Sequence, residues 1–162
     1  MKTTSGVKAI TTAAIIAALY TVLTFLSAML GISSGVIQFR LSEILCILPV
    51  FTASAIPGLF LGCLISNLLT GAVIWDVIFG SIATLLAALG TYAFKNHKYI
   101  AAAFPVISNA AIVPFVLRYA YGCPDSIPFM VATVAIGELV TAYIGGLVFH
   151  RILSTRCRYL FR

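Results

Sequence analysis

Long apolar stretches, broken by short polar or Gly-rich connections, run from Lys8 to Leu153 of this chain. Six of them read as helices: Lys8–Leu30, Leu41–Ser54, Pro57–Gly71, Trp75–Phe94, Tyr99–Tyr119 and Ile127–Leu153. About 20 apolar residues in helical form cross a hydrocarbon core of about 30 Å. The second and third stretches are shorter, so they are expected either to extend into the Gly-rich connections or to sit short and tilted in the bundle. The pattern predicts an all-α integral membrane protein with six transmembrane helices, forming one membrane-embedded domain with almost no mass outside the bilayer. The first stretch is too long for the apolar region of a signal peptide, and no small-x-small cleavage site follows it, so it reads as a mature helix.

Composition agrees with this pattern. Hydrophobic residues make up 62% of the chain and charged residues 9%. With a mean hydropathy of +1.13, that excludes a disordered chain and a water-soluble globule. The net charge of +6 could suggest a nucleic-acid partner, but its distribution argues for topology instead. Lys2 and Lys8 precede the first stretch, Lys95 and Lys98 lie between the fourth and fifth, and Arg151, Arg156, Arg158 and Arg162 end the sixth or follow it. With six spans, all of these fall on one side, as cytoplasmic Lys and Arg do. Both termini are then cytoplasmic, the basic tail serves orientation and lipid contact, and no nucleic acid is implied. Arg40 and Arg118 lie in the opposite, external half against that bias.

Small residues mark helix contacts. Ala9, Ala13 and Ala17 form a ladder at every fourth position of the first stretch, and Ala14 and Ala18 form a neighbouring pair. Gly58 and Gly62 give GxxxG in the third stretch. Such spacing lets backbones approach where lipid offers no hydrophobic drive between helices. Internal packing is one reading of the alanine face, and docking of a separate membrane partner is the other.

The chemistry-bearing residues are few. The chain has four acidic residues, and Glu43, Asp76 and Glu138 lie in or beside apolar stretches, where an ionised group costs about 2.5–3.5 kcal/mol at mid-bilayer. Gln38, Phe39, Arg40 and Glu43 cluster at the start of the second stretch, with Arg40 and Glu43 three apart. Asn67 lies near the external end of the third, and Trp75 and Asp76 open the fourth. Asn109 is mid-span in the fifth between Pro105 and Pro114, Arg118 and Tyr121 stand near its end, and Glu138 is deep in the sixth. Two readings compete. In one, these are local pairs, Arg40 with Glu43 and Glu138 with Arg118, with Asp76 as a cap. In the other, they line a pocket open to the outside, where aromatic walls and a few fixed polar groups make a small-molecule site.

No phosphate-cradling GxxxxGK[ST] loop, GxSxG or HExxH occurs, so neither ATP hydrolysis nor an enzyme is expected of this chain. The cysteines Cys46, Cys63, Cys123 and Cys157 are scattered, with no CxxC, and predict neither a metal site nor a disulfide.

Several ordered motifs carry a resemblance: Gln38-Phe39-Arg40-Leu41-Ser42-Glu43; Ile56-Pro57-Gly58-Leu59-Phe60-Leu61-Gly62 with Asn67; Asp76-Val77-Ile78-Phe79-Gly80-Ser81 with Thr84; Pro114 through Gly122; and Gly137-Glu138. Over residues 8–150 the chain resembles the QueT family, substrate-binding S components of energy-coupling factor (ECF) transporters for queuosine precursors. That resemblance implies an S-component bundle in a bacterial plasma membrane, with a deazaguanine ligand captured from outside. It implies partners, a membrane T protein and two ABC ATPases that use ATP, and no cofactor in this chain. The alanines Ala9, Ala13, Ala14, Ala17 and Ala18 would dock on the T protein, and the Gly31–Gly35 loop would cover the pocket. Gln38, Phe39, Arg40, Glu43, Asn67, Trp75, Asp76, Asn109, Arg118 and Glu138 are the candidate ligand contacts. An S component for another vitamin or purine-like ligand, or a stand-alone secondary transporter, remains the alternative.

Overall fold

The computed structural model describes residues 6–33 and 37–156. Within them the chain is all helical: α1 (Gly6–Met29), α2 (Leu41–Val50), α3 (Ala55–Leu69), α4 (Ile74–Ala93), α5 (Lys98–Tyr119) and α6 (Ile127–Arg156). Four of them, α1, α4, α5 and α6, are long and apolar enough to cross a membrane. Their outer faces are ringed by exposed Val, Ile, Leu and Phe side chains, as a lipid-facing surface requires.

The other two, α2 and α3, are shorter apolar helices of 10 and 15 residues and do not reach that length. Helix α2 ends at Val50, before the expected Ser54, where the Phe51 and Thr52 N–H groups both turn back to the Leu48 carbonyl and close the last turn. It is wound as a 3₁₀ helix, at about 2.0 Å rise per residue, so its 10 residues reach about 20 Å. It touches all five other helices and forms the axis of the bundle. Winding with three residues per turn also places residues three apart in one row, here Glu43, Cys46 and Pro49.

Helix ends follow their local chemistry. Gly31 (φ 69°) and Gly71 (φ 73°) adopt the left-handed conformation that closes α1 and α3. In each case the next residue bonds back across the last turn, Ile32 N–H to Ser27 O and Ala72 N–H to Asn67 O. Gly31 is thus part of a helix cap, whereas Gly35, at the far end of the expected lid, lies outside the described residues, as do Lys2, Cys157, Arg158 and Arg162. Inside α5, Pro105 cannot donate to Ala101, and the Thr91 hydroxyl from α4 donates to that carbonyl instead at 3.0 Å.

Helices α1 and α3 pack closely. A Cβ on Gly58 would come within 2.7 Å of the Ala13 carbonyl oxygen, and one on Gly62 within 2.7 Å of the Tyr20 Cβ. The GxxxG face of α3 therefore seats on Ala13, Ile16, Ala17 and Tyr20, and brings the Tyr20 side chain into the centre of the bundle. Gly58→Val should lower the stability of the detergent-solubilised protein by about 1–3 kcal/mol through overpacking. Thermal unfolding checks this; a melting point equal to that of the parent protein would mean that α1 can shift aside freely.

Candidate functional site

The polar side chains gather at the end of the bundle away from Lys95 and Lys98. Gln38, Arg40, Glu43, Gly80, Thr84, Asn109, Val113, Val134 and Glu138 line a cavity of about 20 Å³ between α2, α4, α5 and α6. That volume suits one water-sized molecule.

Glu43 is the centre of the site. It lies in the first turn of α2 and is 2% exposed. Tyr20 Oη of α1 donates to its Oε1 at 2.5 Å, and Cys46 Sγ, one 3₁₀ turn further on, donates to Oε2 at 3.1 Å. Asn109 Nδ2 of α5 approaches the same Oε2 at 3.5 Å and donates to Glu138 Oε1 at 2.8 Å, so one amide nitrogen bridges the two carboxyl groups. The other oxygen of Glu138, Oε2, is buried and has no hydrogen-bond partner. Glu138 sits where α6 changes from α to a π-wound turn, Leu139–Gly145. Such widened turns re-aim side chains and recur at functional sites. Just before it, Gly137 lies directly against the Gln38 carbonyl, where any side chain would collide.

A second network closes the mouth. Arg40 Nη2 lies 3.8 Å from Asp76 Oδ2, and Tyr121 Oη donates to that oxygen at 2.9 Å while accepting from the Val73 N–H at 3.4 Å. The α2 entry, the α4 start and the α5–α6 loop are therefore tied at one carboxylate. Asn67 supports it from α3 by donating to the Asp76 carbonyl at 3.4 Å.

The local pairs expected from spacing do not form. Arg40 reaches Asp76 and not Glu43, because the row along α2 is continued by Cys46 and the guanidinium turns across to α4. Among the described residues Arg118 pairs with no carboxylate; its guanidinium donates to the Cys123 carbonyl at 2.9 Å on the exposed α5–α6 loop. Glu138 takes its hydrogen bond from Asn109.

Of the residues singled out in the sequence, the structure thus brings Gln38, Arg40, Glu43, Asn109 and Glu138 to one cavity, with Asp76 at its mouth and Asn67 behind it. Phe39 is half-buried and does not line it. Trp75 is exposed, stacks on Phe79 at 6.1 Å, and lines an apolar groove of about 440 Å³ between α4 and α5. Of the alanines of α1, Ala13 and Ala17 face α3, whereas Ala14 and Ala18 are exposed. Sequence reasoning passed over Tyr20 and Cys46. A phenol in the middle of an apolar helix needs a partner, and that was the available signal for Tyr20. Among the described residues, no three His, Cys, Asp or Glu side chains gather as a metal-ligand set.

The family model described as "QueT transporter" matches residues 10–155. The protein "Queuosine precursor transporter QueT" of Lactococcus lactis subsp. cremoris (strain MG1363) is 32% identical over 154 residues, covering 88% of this chain and 90% of that protein. No solved structure matches.

The mouth network makes a pH prediction. Burial, and after it the Asp76 carboxylate, raise the Tyr121 phenol above the ordinary tyrosine value of about 10. The neutral phenol is the form held by the fold, so its contribution is fully present below pH of about 10 and is lost as pH rises through the raised value. In an alkaline absorbance titration, Asp76→Asn should move one tyrosine to lower pH, and Tyr121→Phe should remove it. An unchanged titration in both variants would dissolve the network.

Proposed function

The chain belongs to the QueT transporter family, and we propose that it is the substrate-binding S component of an ECF-type importer for a queuosine precursor. In this reading it is one membrane-embedded binding domain in a bacterial plasma membrane, with both termini cytoplasmic. It captures the precursor from the external side and releases it inward when docked on a T protein that carries two ATPases. ATP is consumed by those partners, and this chain holds no cofactor.

The observation that carries the proposal is the convergence of Glu43 and Glu138 on one buried polar cavity through Asn109. A deazaguanine presents a ring N–H and an exocyclic amine side by side, a donor pair that one carboxylate accepts with both oxygens. The aminomethyl form (preQ1) adds an ammonium for the second carboxyl group. Gln38 and Asn109 supply amides able to read the ring carbonyl and nitrogen. A bicyclic base has roughly a dozen non-hydrogen atoms, enough for nanomolar binding at up to about 1.5 kcal/mol per atom. It exceeds the present cavity, so entry requires the Arg40–Asp76–Tyr121 ties to open, as lids do over enclosed sites. Ala14 and Ala18, exposed on α1, are the part of the alanine face that remains free for the T protein.

Calorimetry on the purified chain against preQ1, preQ0, queuine, guanine and thiamin tests the substrate. Tight binding confined to deazaguanines supports the proposal, and preference for thiamin or guanine transfers the chain to another ligand. Glu43→Gln should weaken deazaguanine binding by about tenfold or more, since the amide offers one acceptor where the carboxylate offers two. Affinity close to that of the parent protein would remove Glu43 from the contacts. Uptake that persists without ATPase partners would replace the S-component reading by a stand-alone transporter.

A further inference from the structure

The charges of the site do not balance. Three carboxyl groups, Glu43, Asp76 and Glu138, are buried at this end, and Arg40 is the cation among them. Arg40 pairs with Asp76. Arg118 is turned to the Cys123 carbonyl on the surface, and Lys95 and Lys98 lie at the opposite end of the bundle. Arg40 lines the same cavity but makes its ion pair with Asp76, so among the described residues one cation serves three buried carboxyl groups, and two ionised carboxylates bridged by one amide are costly where water is excluded.

The hydrogen bonds divide the two groups. Glu43 accepts from Tyr20, Cys46 and Asn109, which suits an ionised carboxylate. Glu138 accepts one bond, from Asn109, and its buried Oε2 has no partner. A buried carboxylate oxygen without a donor is expensive, whereas a protonated one is a neutral O–H facing the cavity. The groups around Glu138 leave that proton in place. α1 brings Tyr20, engaged with Glu43; α2 and its lead-in bring Arg40, Glu43 and Cys46. α4 brings Asp76, held by Arg40, and α5 the uncharged Asn109.

We infer that the site takes its ligand as a cation in exchange for a proton that Glu138 holds beforehand. This rests on the small-molecule reading above and narrows it to an amine-bearing ligand. The ammonium enters, the Glu138 O–H bond breaks, its proton leaves to solvent through the mouth, and the resulting carboxylate pairs with the ammonium. The net charge of the cavity is unchanged. A neutral ligand of the same shape displaces no proton and leaves one carboxyl group without a new partner.

Two measurements on the intact chain in detergent test this. Infrared spectroscopy of the ligand-free protein at neutral pH should show a carboxylic-acid band that is absent in Glu138→Gln and disappears on saturation with preQ1. Calorimetry of preQ1 in buffers with different ionisation heats should show about one proton released per ligand. Affinity should then rise about tenfold per pH unit while Glu138 remains protonated in the free state. The neutral nitrile preQ0 should show no release and a flat pH profile. The inference is overturned by the absence of the acid band in the parent protein, by its persistence under bound preQ1, or by tight preQ1 binding with no buffer dependence. Each of these overturning outcomes is read on the parent protein; Glu138→Gln serves only to assign the band. Failure of every deazaguanine to bind a protein that shows the band would overturn the exchange together with the assigned substrate, whereas tight binding without the band would overturn the exchange alone.

Discussion

A carboxyl group in a water-excluded helix bundle must be neutralised or fully hydrogen-bonded, and much of this molecule is arranged around that demand. Meeting it for Glu43 requires α1 to deliver Tyr20, α2 to deliver Cys46, and α5 to deliver Asn109. Tyr20 arrives only because α3 is bare at Gly58 and Gly62, which lets α1 close on it. The small-residue contact between α1 and α3 is therefore part of the site, although it lies outside the cavity. Disturbing the seam would be felt at the carboxylate through one phenol.

Two departures from regular helix geometry serve the same end. The 3₁₀ winding of α2 lets ten residues reach through the centre of the bundle and aligns Glu43 with Cys46. The π-wound turn after Glu138 re-aims α6 just below its functional residue, while Gly137 lets the chain before α2 pass against it. Neither winding is stable on its own over such lengths, so both are held by the surrounding helices. Segments held in this way are suited to adjust when a ligand enters.

The apolar pattern made the helices legible, because about 20-residue stretches leave few alternatives. The observed ends of α1, α3, α4 and α5 fall within a few residues of those expected, and Gly31 and Gly71 mark two of them. The second stretch was read too long, since propensity does not reveal where a 3₁₀ helix ends. Placing Glu43, Asp76, Asn109 and Glu138 at one level was also within reach, since each has a countable depth in its stretch. Trp75 and Arg118 sit at that level too, yet the one faces outward and the other the α5–α6 loop, because depth does not give rotation about the helix axis.

The amino-acid order by itself therefore determined a helical membrane chain, a polar end, and a short roster of groups able to bind a small molecule there. Partner choice was left to tertiary structure. Arg40 and Glu43 are three apart and look like a pair, but Arg40 spans to Asp76 and Glu43 is met by a tyrosine from α1. Nothing local distinguishes these outcomes. They follow from how closely helices approach and how each is wound, and those are properties of the packed bundle.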